Sequence, residues 1–137
     1  MNRPLSAQAV FHGLEMLLDL RWVAGMAGAE RILWLPVEAG APFYGRLNWV
    51  HPPRLQICGA EERAFLDSLE PATRAALLQA LLGAAAGALL VCGDPAWVDA
   101  LGAGAEAAGV PLWHTPFTPG AVAERLYNYR HSLEAST

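Results

Sequence analysis

Apolar side chains recur at helical spacing near the start of the chain and again near its end. The first predicted helix follows Ser6, a favoured N-cap residue, and gathers its apolar side chains on one face. That face consists of Val10, Phe11, Leu14, Leu17 and Leu18. The last predicted helix follows Thr118 and Pro119, and its apolar stripe consists of Val122, Leu126, Tyr129 and Leu133. Each helix therefore has one face suited to packing against other elements.

Short apolar runs between these two helices predict the strands of a sheet. The clearest runs are Arg54–Cys58, Ala88–Cys92 and Val110–His114. Ala88–Cys92 is unbroken by any charged or amide side chain, which is typical of a strand that is covered on both faces. Two weaker candidates, Trp22–Gly25 and Ile32–Leu35, precede these strands, and residues 37–53 predict a loop with a short helix.

Helices are predicted between the strands. They cover Glu61–Leu69, a segment from Pro71 to about Gly83, and a segment from Asp94 to about Ala108. Asp94 and Pro95 are a favoured cap and first-turn pair, and Gly109 ends that helix. The side chains expected to face inward are Phe65, Leu66 and Leu69 in the first helix, Leu77, Leu78, Leu81 and Leu82 in the second, and Trp97, Leu101, Ala105 and Ala108 in the third.

Strands that alternate with helices through short connections indicate right-handed crossovers and a parallel sheet. We therefore predict one α/β domain over residues 1–137, with three layers and a central, mainly parallel sheet of about four to five strands. The segment Ala75–Gly93 is long and apolar enough to be considered as a membrane span. Its alanines and glycines contribute little to insertion, so a helix, a tight loop and a buried strand are the better interpretation.

Composition and charge exclude several classes of protein. The formal net charge is -4, and all nine basic residues are arginine, so the electrostatic footprint of a nucleic-acid-binding protein is missing. Two cysteines are too few for a disulfide framework, which favours a reduced, cytoplasmic protein. Glu15 and Asp19 interrupt the N-terminal apolar stretch and argue against a signal peptide.

Phosphate-binding and metal-binding motifs are missing from the sequence. Gly104 and Gly109 have the spacing of the phosphate-loop glycines, but Val110 and Pro111 stand where Lys and Ser or Thr are needed. The chain contains no lysine at all, which excludes a phosphate loop of that type. The histidines His12, His51, His114 and His131 lie far apart and form no metal-ligand spacing, so we expect no metal site.

The carboxyl ends of the predicted parallel strands are the best candidate for a ligand site, because ligands bind at that edge of open α/β sheets. The residues predicted there are Gly59, Glu62, Gly93, Asp94, His114 and Thr115. Acids at helix starts also have a purely structural explanation, since they stabilise the positive end of the helix dipole. A thiol site using Cys92 and His114 is a further alternative, although buried cysteines are ordinary core residues.

Several motifs in order resemble the N-terminal domain of HPr kinase/phosphorylase, a bacterial enzyme of carbon regulation. Leu55-Gln56-Ile57-Cys58-Gly59, with Glu62 and Phe65-Leu66, resembles the family pattern (I/V)Q(V/I)LG..E..(Y/F)L. Residues 110–116, VPLWHTP, resemble IPLLRT, and residues 124–129, ERLYNY, resemble SRLxNYL. His114 stands where the family usually has Arg, and the family segment NRPG...AGFF is largely missing between Val37 and Trp49.

The resemblance implies a fold similar to the substrate-binding domain of Mur ligases. It also implies a non-catalytic regulatory or assembly domain, with a kinase domain that acts on a serine of HPr as a separate part of the same protein. ATP and Mg²⁺ would then belong to that kinase domain, and this domain would hold no cofactor. The kinase domain and HPr are the expected partners, and a homo-oligomer and a small phosphorylated ligand remain open. A stand-alone module for a phosphorylated sugar or nucleotide sugar is the alternative function.

Overall fold

The computed structural model describes residues 5–33, 54–83 and 86–135. In chain order the elements are β1 (Leu5–Ser6), α1 (Ala7–Leu18), β2 (Arg21–Ala24), a single 3₁₀ turn (Met26–Gly28), β3 (Ile32–Leu33), β4 (Arg54–Cys58), α2 (Ala60–Asp67), α3 (Pro71–Gly83), β5 (Ala86–Cys92), α4 (Pro95–Ala108), β6 (Leu112–Thr115) and α5 (Pro119–Ala135). The loop and short helix predicted for residues 37–53 lie outside the described residues.

A four-stranded mixed sheet with the order β2-β6-β5-β4 lies at the centre of the fold. Strands β4, β5 and β6 are parallel, and the crossovers between them run through α2 and α3 and then through α4. At one edge β2 pairs antiparallel with β6. Strands β1 and β3 form a separate two-stranded antiparallel pair. The predicted α/β fold with a mainly parallel sheet is therefore confirmed.

Two hydrophobic clusters cover the two faces of this sheet. One joins α1 and α5 to the sheet, and the other joins α4 and Leu78 of α3 to it. Strand β5 contributes Ala88 and Leu90 to the first cluster and Leu89 and Val91 to the second, as the alternation of side chains along a strand requires. All four side chains are buried, so the prediction that this strand is covered on both faces is confirmed.

The predicted helix boundaries are set by local hydrogen bonds. The Ser6 hydroxyl accepts a hydrogen bond from the Ala9 backbone N–H at 3.1 Å, which caps α1. At the start of α4 the Asp94 carboxylate accepts one from the Ala96 N–H at 2.9 Å. Gly109 ends α4 in the left-handed conformation with φ of 67°. These three positions confirm the start and stop signals of the sequence.

Three side chains predicted to face inward are exposed instead. Leu17 is 43% exposed, Phe65 is 53% exposed, and Ala108 is also exposed. In α2, a helix of eight residues, Leu66 is the buried side chain beside β4, so Phe65 turns away from the sheet. The buried face of α4 consists of Val98, Leu101 and Ala105, which places Ala108 off that face. The Leu81, Leu82 and Leu133 side chains lie outside the described part of the chain.

The turn after β2 is fixed against the end of α4. Gly25 has φ of 75°, and a Cβ atom at this position would collide with the Val110 backbone carbonyl. The Gly25 N–H donates to Glu106 Oε1 at 2.9 Å, and Arg31 Nε donates to the Gly109 carbonyl oxygen at 3.0 Å. This junction holds the antiparallel edge strand and α4 together.

The segment Ala75–Gly93, considered above as a membrane span, comprises most of α3, the whole of β5 and Gly93 of the following loop. Residues 84 and 85 lie outside the described part of the chain. The interpretation as a helix followed by a buried strand is confirmed. Over residues 5–33, 54–83 and 86–135, no helix has the length and apolar character needed to cross a bilayer.

Candidate functional site

The loop after β5 contacts the end of β6 at the carboxyl edge of the sheet. The Gly93 N–H donates to the Thr115 carbonyl oxygen at 2.9 Å, and His114 Nε2 donates to the Gly93 carbonyl oxygen at 2.8 Å. Since the carbonyl oxygen can only accept, this contact requires a proton on Nε2. The structure therefore brings together Gly93 and His114, as the sequence predicted for adjacent parallel strands.

Arg63 connects α2 to the loop after β5. Its guanidinium forms an ion pair with Asp94 Oδ2, while the other carboxylate oxygen of Asp94 caps α4. Arg63 also lies 3.8 Å from the carboxylate of Asp67, one turn further along α2. The sequence prediction named the neighbouring Glu62 and missed Arg63, because no spacing rule indicates which residue of a helix start reaches across to the next loop.

The Asp94 carboxyl has a pKa below its ordinary value. The main cause is the hydrogen bond from the Ala96 N–H, followed by the hydrogen bond and charge of Arg63. Both hydrogen bonds favour the charged form of the carboxyl, and desolvation, which acts in the opposite direction, does not outweigh them. Asp94 is therefore an anion engaged in capping and in the ion pair, which is unsuited to acting as a general acid at neutral pH.

The Thr115 side chain is enclosed by the fold and is not open to solvent. Its side chain is fully buried, its hydroxyl donates to the Leu18 carbonyl oxygen, and it accepts a hydrogen bond from the Phe117 N–H at 3.3 Å. These bonds hold the end of α1 against the end of β6. The Thr115 hydroxyl therefore points into the α1 side of the sheet, away from His114 on the opposite face.

The remaining predicted residues, Gly59 and Glu62, follow β4. Gly59 is buried, and its carbonyl oxygen accepts a hydrogen bond from the Arg63 N–H at 3.0 Å in the first turn of α2. The backbone of Glu62 belongs to α2, and its side chain lies outside the described residues.

Gly93, in the loop after β5, has φ of 87°. A Cβ atom built there would meet no described atom within 4 Å, so this loop is open to solvent.

Cys92 and His114 lie on opposite faces of the sheet. Cys92 is paired in register with Thr115 and belongs to the hydrophobic cluster below α1 and α5. His114 is paired with Val91, which belongs to the cluster on the α4 side. Because neighbouring residues of a strand point to opposite faces, the geometry does not support a Cys92–His114 dyad. Within the described ranges, no three His, Cys, Asp or Glu side chains are grouped so that they could hold a metal ion.

Two open cavities are found away from these loops. A cavity of about 570 Å³ lies between α1 and α5, and one of about 490 Å³ lies between α3 and α4. The first is lined by Leu17, Ala121, Glu124, Arg125, Asn128, Tyr129 and Ser132. The second is lined by Ala75, Leu78, Gln79, Ala100, Leu101, Gly104, Ala107 and Ala108. None of the six predicted site residues lines either cavity.

Comparison with known proteins identifies relatives over most of the chain. The family model described as HPr Serine kinase N terminus matches residues 15–129. HPr kinase/phosphorylase of Stenotrophomonas maltophilia strain K279a is 34% identical over 122 residues, and that of Xanthomonas oryzae pv. oryzae strain PXO99A is 33% identical over the same length. Each match covers 85% of this chain and 37% of the relative, so the chain spans little more than a third of these relatives.

Proposed function

Because this chain belongs to the family of HPr serine kinase N-terminal domains, we propose that it is the non-catalytic regulatory or assembly domain of an HPr serine kinase/phosphorylase. The observation that carries this proposal is the family match across 15–129, at an identity of 34% to the Stenotrophomonas enzyme. In this function the domain takes part in bacterial carbon regulation through the phosphotransferase system, in the cytoplasm.

The chemistry of the chain supports a non-catalytic role. Phosphoryl transfer needs cationic groups and backbone N–H groups that cradle the phosphates, together with Mg²⁺. The sequence has no lysine and no phosphate-loop motif, and its best-placed acid, Asp94, is engaged with Arg63 and the Ala96 N–H. ATP, Mg²⁺ and the phosphorylated serine of HPr are therefore assigned to a kinase domain of the same polypeptide, and the partners of this domain are that kinase domain and further copies of the enzyme.

A fusion protein provides the test. It joins this chain, through residue 135, to the part of the Stenotrophomonas maltophilia K279a enzyme that follows its matched segment. We expect the chain alone to transfer no phosphate from ATP to HPr in the presence of Mg²⁺. We expect the fusion protein to do so, with an oligomeric state or a KM for HPr that differs from those of the same enzyme without its N-terminal domain.

Two outcomes would contradict this function. One is turnover of ATP by the chain unaided. The other is a fusion protein whose assembly, measured by light scattering, and kinetics both equal those of the truncated enzyme. The gene offers an inexpensive further test, since we expect a kinase-domain sequence in frame after Thr137. A stop codon there, with no kinase gene following it, would argue strongly against the proposal.

A small-ligand site at the carboxyl edge of the sheet is a second candidate function. It is favoured by the bonds that gather Arg63, Asp94, Gly93 and His114 at one edge, where Gly93 is open to solvent. The ligand class would be a phosphorylated sugar or a nucleotide sugar. Its phosphate would have to displace the Asp94 carboxylate, which is paired with Arg63 and caps the N-terminus of α4.

Calorimetric titration decides between a ligand site and a purely structural cluster. Glucose 6-phosphate and UDP-glucose are suitable first probes, and Arg63→Gln is the informative variant because it removes the charge. Arg74→Gln is the control, since Arg74 donates to the Leu66 and Leu69 carbonyl oxygens at the other end of α2. Binding that is lost in Arg63→Gln and kept in Arg74→Gln supports the site. Equal affinity of the two variants would show that these loops do not form the binding site.

A further inference from the structure

We propose that the groove between α1 and α5 is the docking surface for the catalytic part of the same enzyme. This inference rests on the proposed function and adds the surface through which the domain acts. The groove contains the cavity of about 570 Å³, which is lined by Leu17 at the end of α1 and by residues along α5. It lies on the α1 side of the sheet, whereas Arg63 and His114 lie at the carboxyl edge.

The rim of the groove exposes apolar side chains that the fold itself does not bury. Met16 is 95% exposed and Leu17 is 43% exposed, although both lie on a helix whose other leucines are buried. Leu17 lines the cavity, and Met16 precedes it on the outer side of the same turn. Burial of Met and Leu side chains is favourable, so a partner that covers this pair gains from the contact. Exposed apolar side chains beside a concave surface are typical of protein interaction sites.

The walls of the groove are held in place before any partner binds. The Tyr129 ring of α5 packs so closely on Gly13 of α1 that a Cβ atom at residue 13 would collide with it. Arg125 Nη1 donates to the Leu17 carbonyl oxygen at 3.1 Å, and its guanidinium lies 4.5 Å from the centre of the Phe117 ring. A preformed surface loses little conformational entropy on binding, which favours a specific contact.

The charges of the groove fit a protein surface better than an anionic ligand. Glu124 and Arg125 bring one charge of each sign to the lining, and the other polar groups are the Asn128 amide, the Tyr129 phenol and the Ser132 hydroxyl. A carboxylate beside the single cation repels phosphate groups. The partner expected is therefore a nearly neutral protein surface that presents an apolar side chain, and its binding should depend only weakly on ionic strength.

The relatives indicate which protein surface that is. They match this chain over 37% of their length, through a segment described as the N terminus of the serine kinase, so most of each relative follows the match. The match ends at residue 129, inside α5, and α5 forms one wall of the groove. Ser132, beyond the end of the match, still lines the cavity, so whatever follows α5 in the relatives leaves from the end of this wall. Tethering gives it a high effective concentration, so a small contact area suffices.

Oxidation of methionine by hydrogen peroxide tests the contact, because the chain carries a matched pair of exposed methionines. Met16 is the chain neighbour of Leu17, which lines the groove, and Met26, which is 63% exposed, lies in the 3₁₀ turn after β2. Oxidation rates are measured by mass spectrometry in the chain alone and in the fusion protein defined above. We expect the rate at Met16 to fall about fivefold or more in the fusion protein, and the rate at Met26 to stay the same.

A pair of variants tests whether the contact has a function. Met16→Lys places a charge beside Leu17 of the groove, and Met26→Lys makes the same change elsewhere. In the fusion protein, Met16→Lys should abolish the difference in assembly or KM from the truncated enzyme, and Met26→Lys should preserve it. Circular dichroism verifies that both variants are folded, which their exposure leads us to expect.

Each result decides one of the two proposals. Equal oxidation of Met16 in the chain and in the fusion protein overturns the docking surface, whatever the kinetics show. Protection of Met16 that depends on the concentration of the chain alone means that a second copy covers the groove, which also overturns it. Protection of Met16 in a fusion protein that behaves like the truncated enzyme supports docking and contradicts the regulatory function.

Discussion

Thr115 shows how one buried hydroxyl fixes the end of two elements. Its side chain is fully buried, donates to the Leu18 carbonyl oxygen and accepts a hydrogen bond from the Phe117 N–H. Both partners belong to the backbone at points where regular structure ends, so Thr115 supplies bonds that α1 and β6 cannot make for themselves.

We expect Thr115→Val to lower the free energy of unfolding by about 1–3 kcal/mol, because it keeps the shape of the side chain and leaves two backbone groups unpaired. Urea denaturation at neutral pH measures this loss. Thr115→Ser, which keeps the hydroxyl, is the matched variant and should lose less. A Val variant as stable as the wild type would show that these bonds contribute nothing net.

Asp94 makes the stability of the chain depend on acid. Its pKa is lowered by the Ala96 N–H and then by Arg63, so the unfolded chain binds a proton more readily than the folded one. The contribution of a group with a depressed folded-state pKa is present at neutral pH. It is lost as the pH falls below about 4 and passes through the folded-state pKa.

Asp94→Asn keeps an oxygen that can cap α4 and removes the ion pair with Arg63. We expect this variant to be less stable than the wild type at pH 7, and the two to converge as the pH is lowered towards 3. Denaturation curves across this range provide the measurement. Asp99→Asn, on the exposed face of α4, is the control for the loss of one negative charge. A difference that stays constant with pH would contradict the assignment.

At the scale of elements, two glycines in the same conformation have different reasons for being glycine. Gly25 and Gly109 both have positive φ, 75° and 67°. A Cβ atom at Gly25 would collide with the backbone of Val110, whereas one at Gly109 would meet only the Ala27 Cβ at 4.0 Å. At Gly109, glycine is therefore needed only for the left-handed backbone conformation. At Gly25 it is also needed because it lets the end of β2 approach the backbone just before β6.

We expect Gly109→Ala to cost about 1–2 kcal/mol, the strain of a left-handed residue with a side chain. Gly25→Ala should cost at least about 3 kcal/mol, because the same strain is joined by a displacement of backbone that no rotamer relieves. Thermal or urea unfolding of the two variants measures the difference. Equal losses would mean that the junction between β2 and α4 is loose.

The sequence predicted well the elements whose signals are local. The α4 boundaries follow from Asp94, Pro95 and Gly109, and the double cover of β5 follows from its unbroken apolar run. Helix faces were predicted less well, because periodicity gives the centre of a buried stripe and not its width. Leu17 and Phe65 lie at the margins of such stripes, and only the position of the neighbouring elements decides that they are exposed.

The sequence predicted the location of the candidate site but not its individual side-chain contacts. Parallel strands bring their carboxyl ends together, so the meeting of Gly93 with His114 follows from the topology. The side of the sheet on which Thr115 lies follows from alternation only once the register is known. The ion pair of Arg63 with Asp94 depends on how close α2 lies to the start of α4. The α1–α5 groove depends on the packing of helices at opposite ends of the sequence.

At the scale of the whole molecule, the two hydrophobic clusters share one sheet. Leu89 and Leu90 are adjacent on β5, are both buried, and belong to opposite clusters. We expect Leu89→Ala and Leu90→Ala each to lower stability by about 2–5 kcal/mol, because each leaves a cavity that its cluster fills only partly.

The two variants also test whether the clusters unfold together. Far-ultraviolet circular dichroism and tryptophan fluorescence should report one coincident transition, with an unchanged denaturant slope in both variants. Transitions that separate in either variant would show that the α1–α5 side and the α4 side are independent units.

The pairing of β2 with β6 has a consequence for synthesis on the ribosome. Strand β2 is synthesised early, and its partner β6 follows nearly ninety residues later. The separation in sequence between α1 and α5, which pack together, is longer still. Until β6 and α5 emerge, Trp22 lacks Trp113, and the apolar face of α1 lacks α5, although Trp22 can already pack on Phe11. Contacts so distant in sequence also slow folding. The fold is therefore completed late, after α5 has left the ribosome.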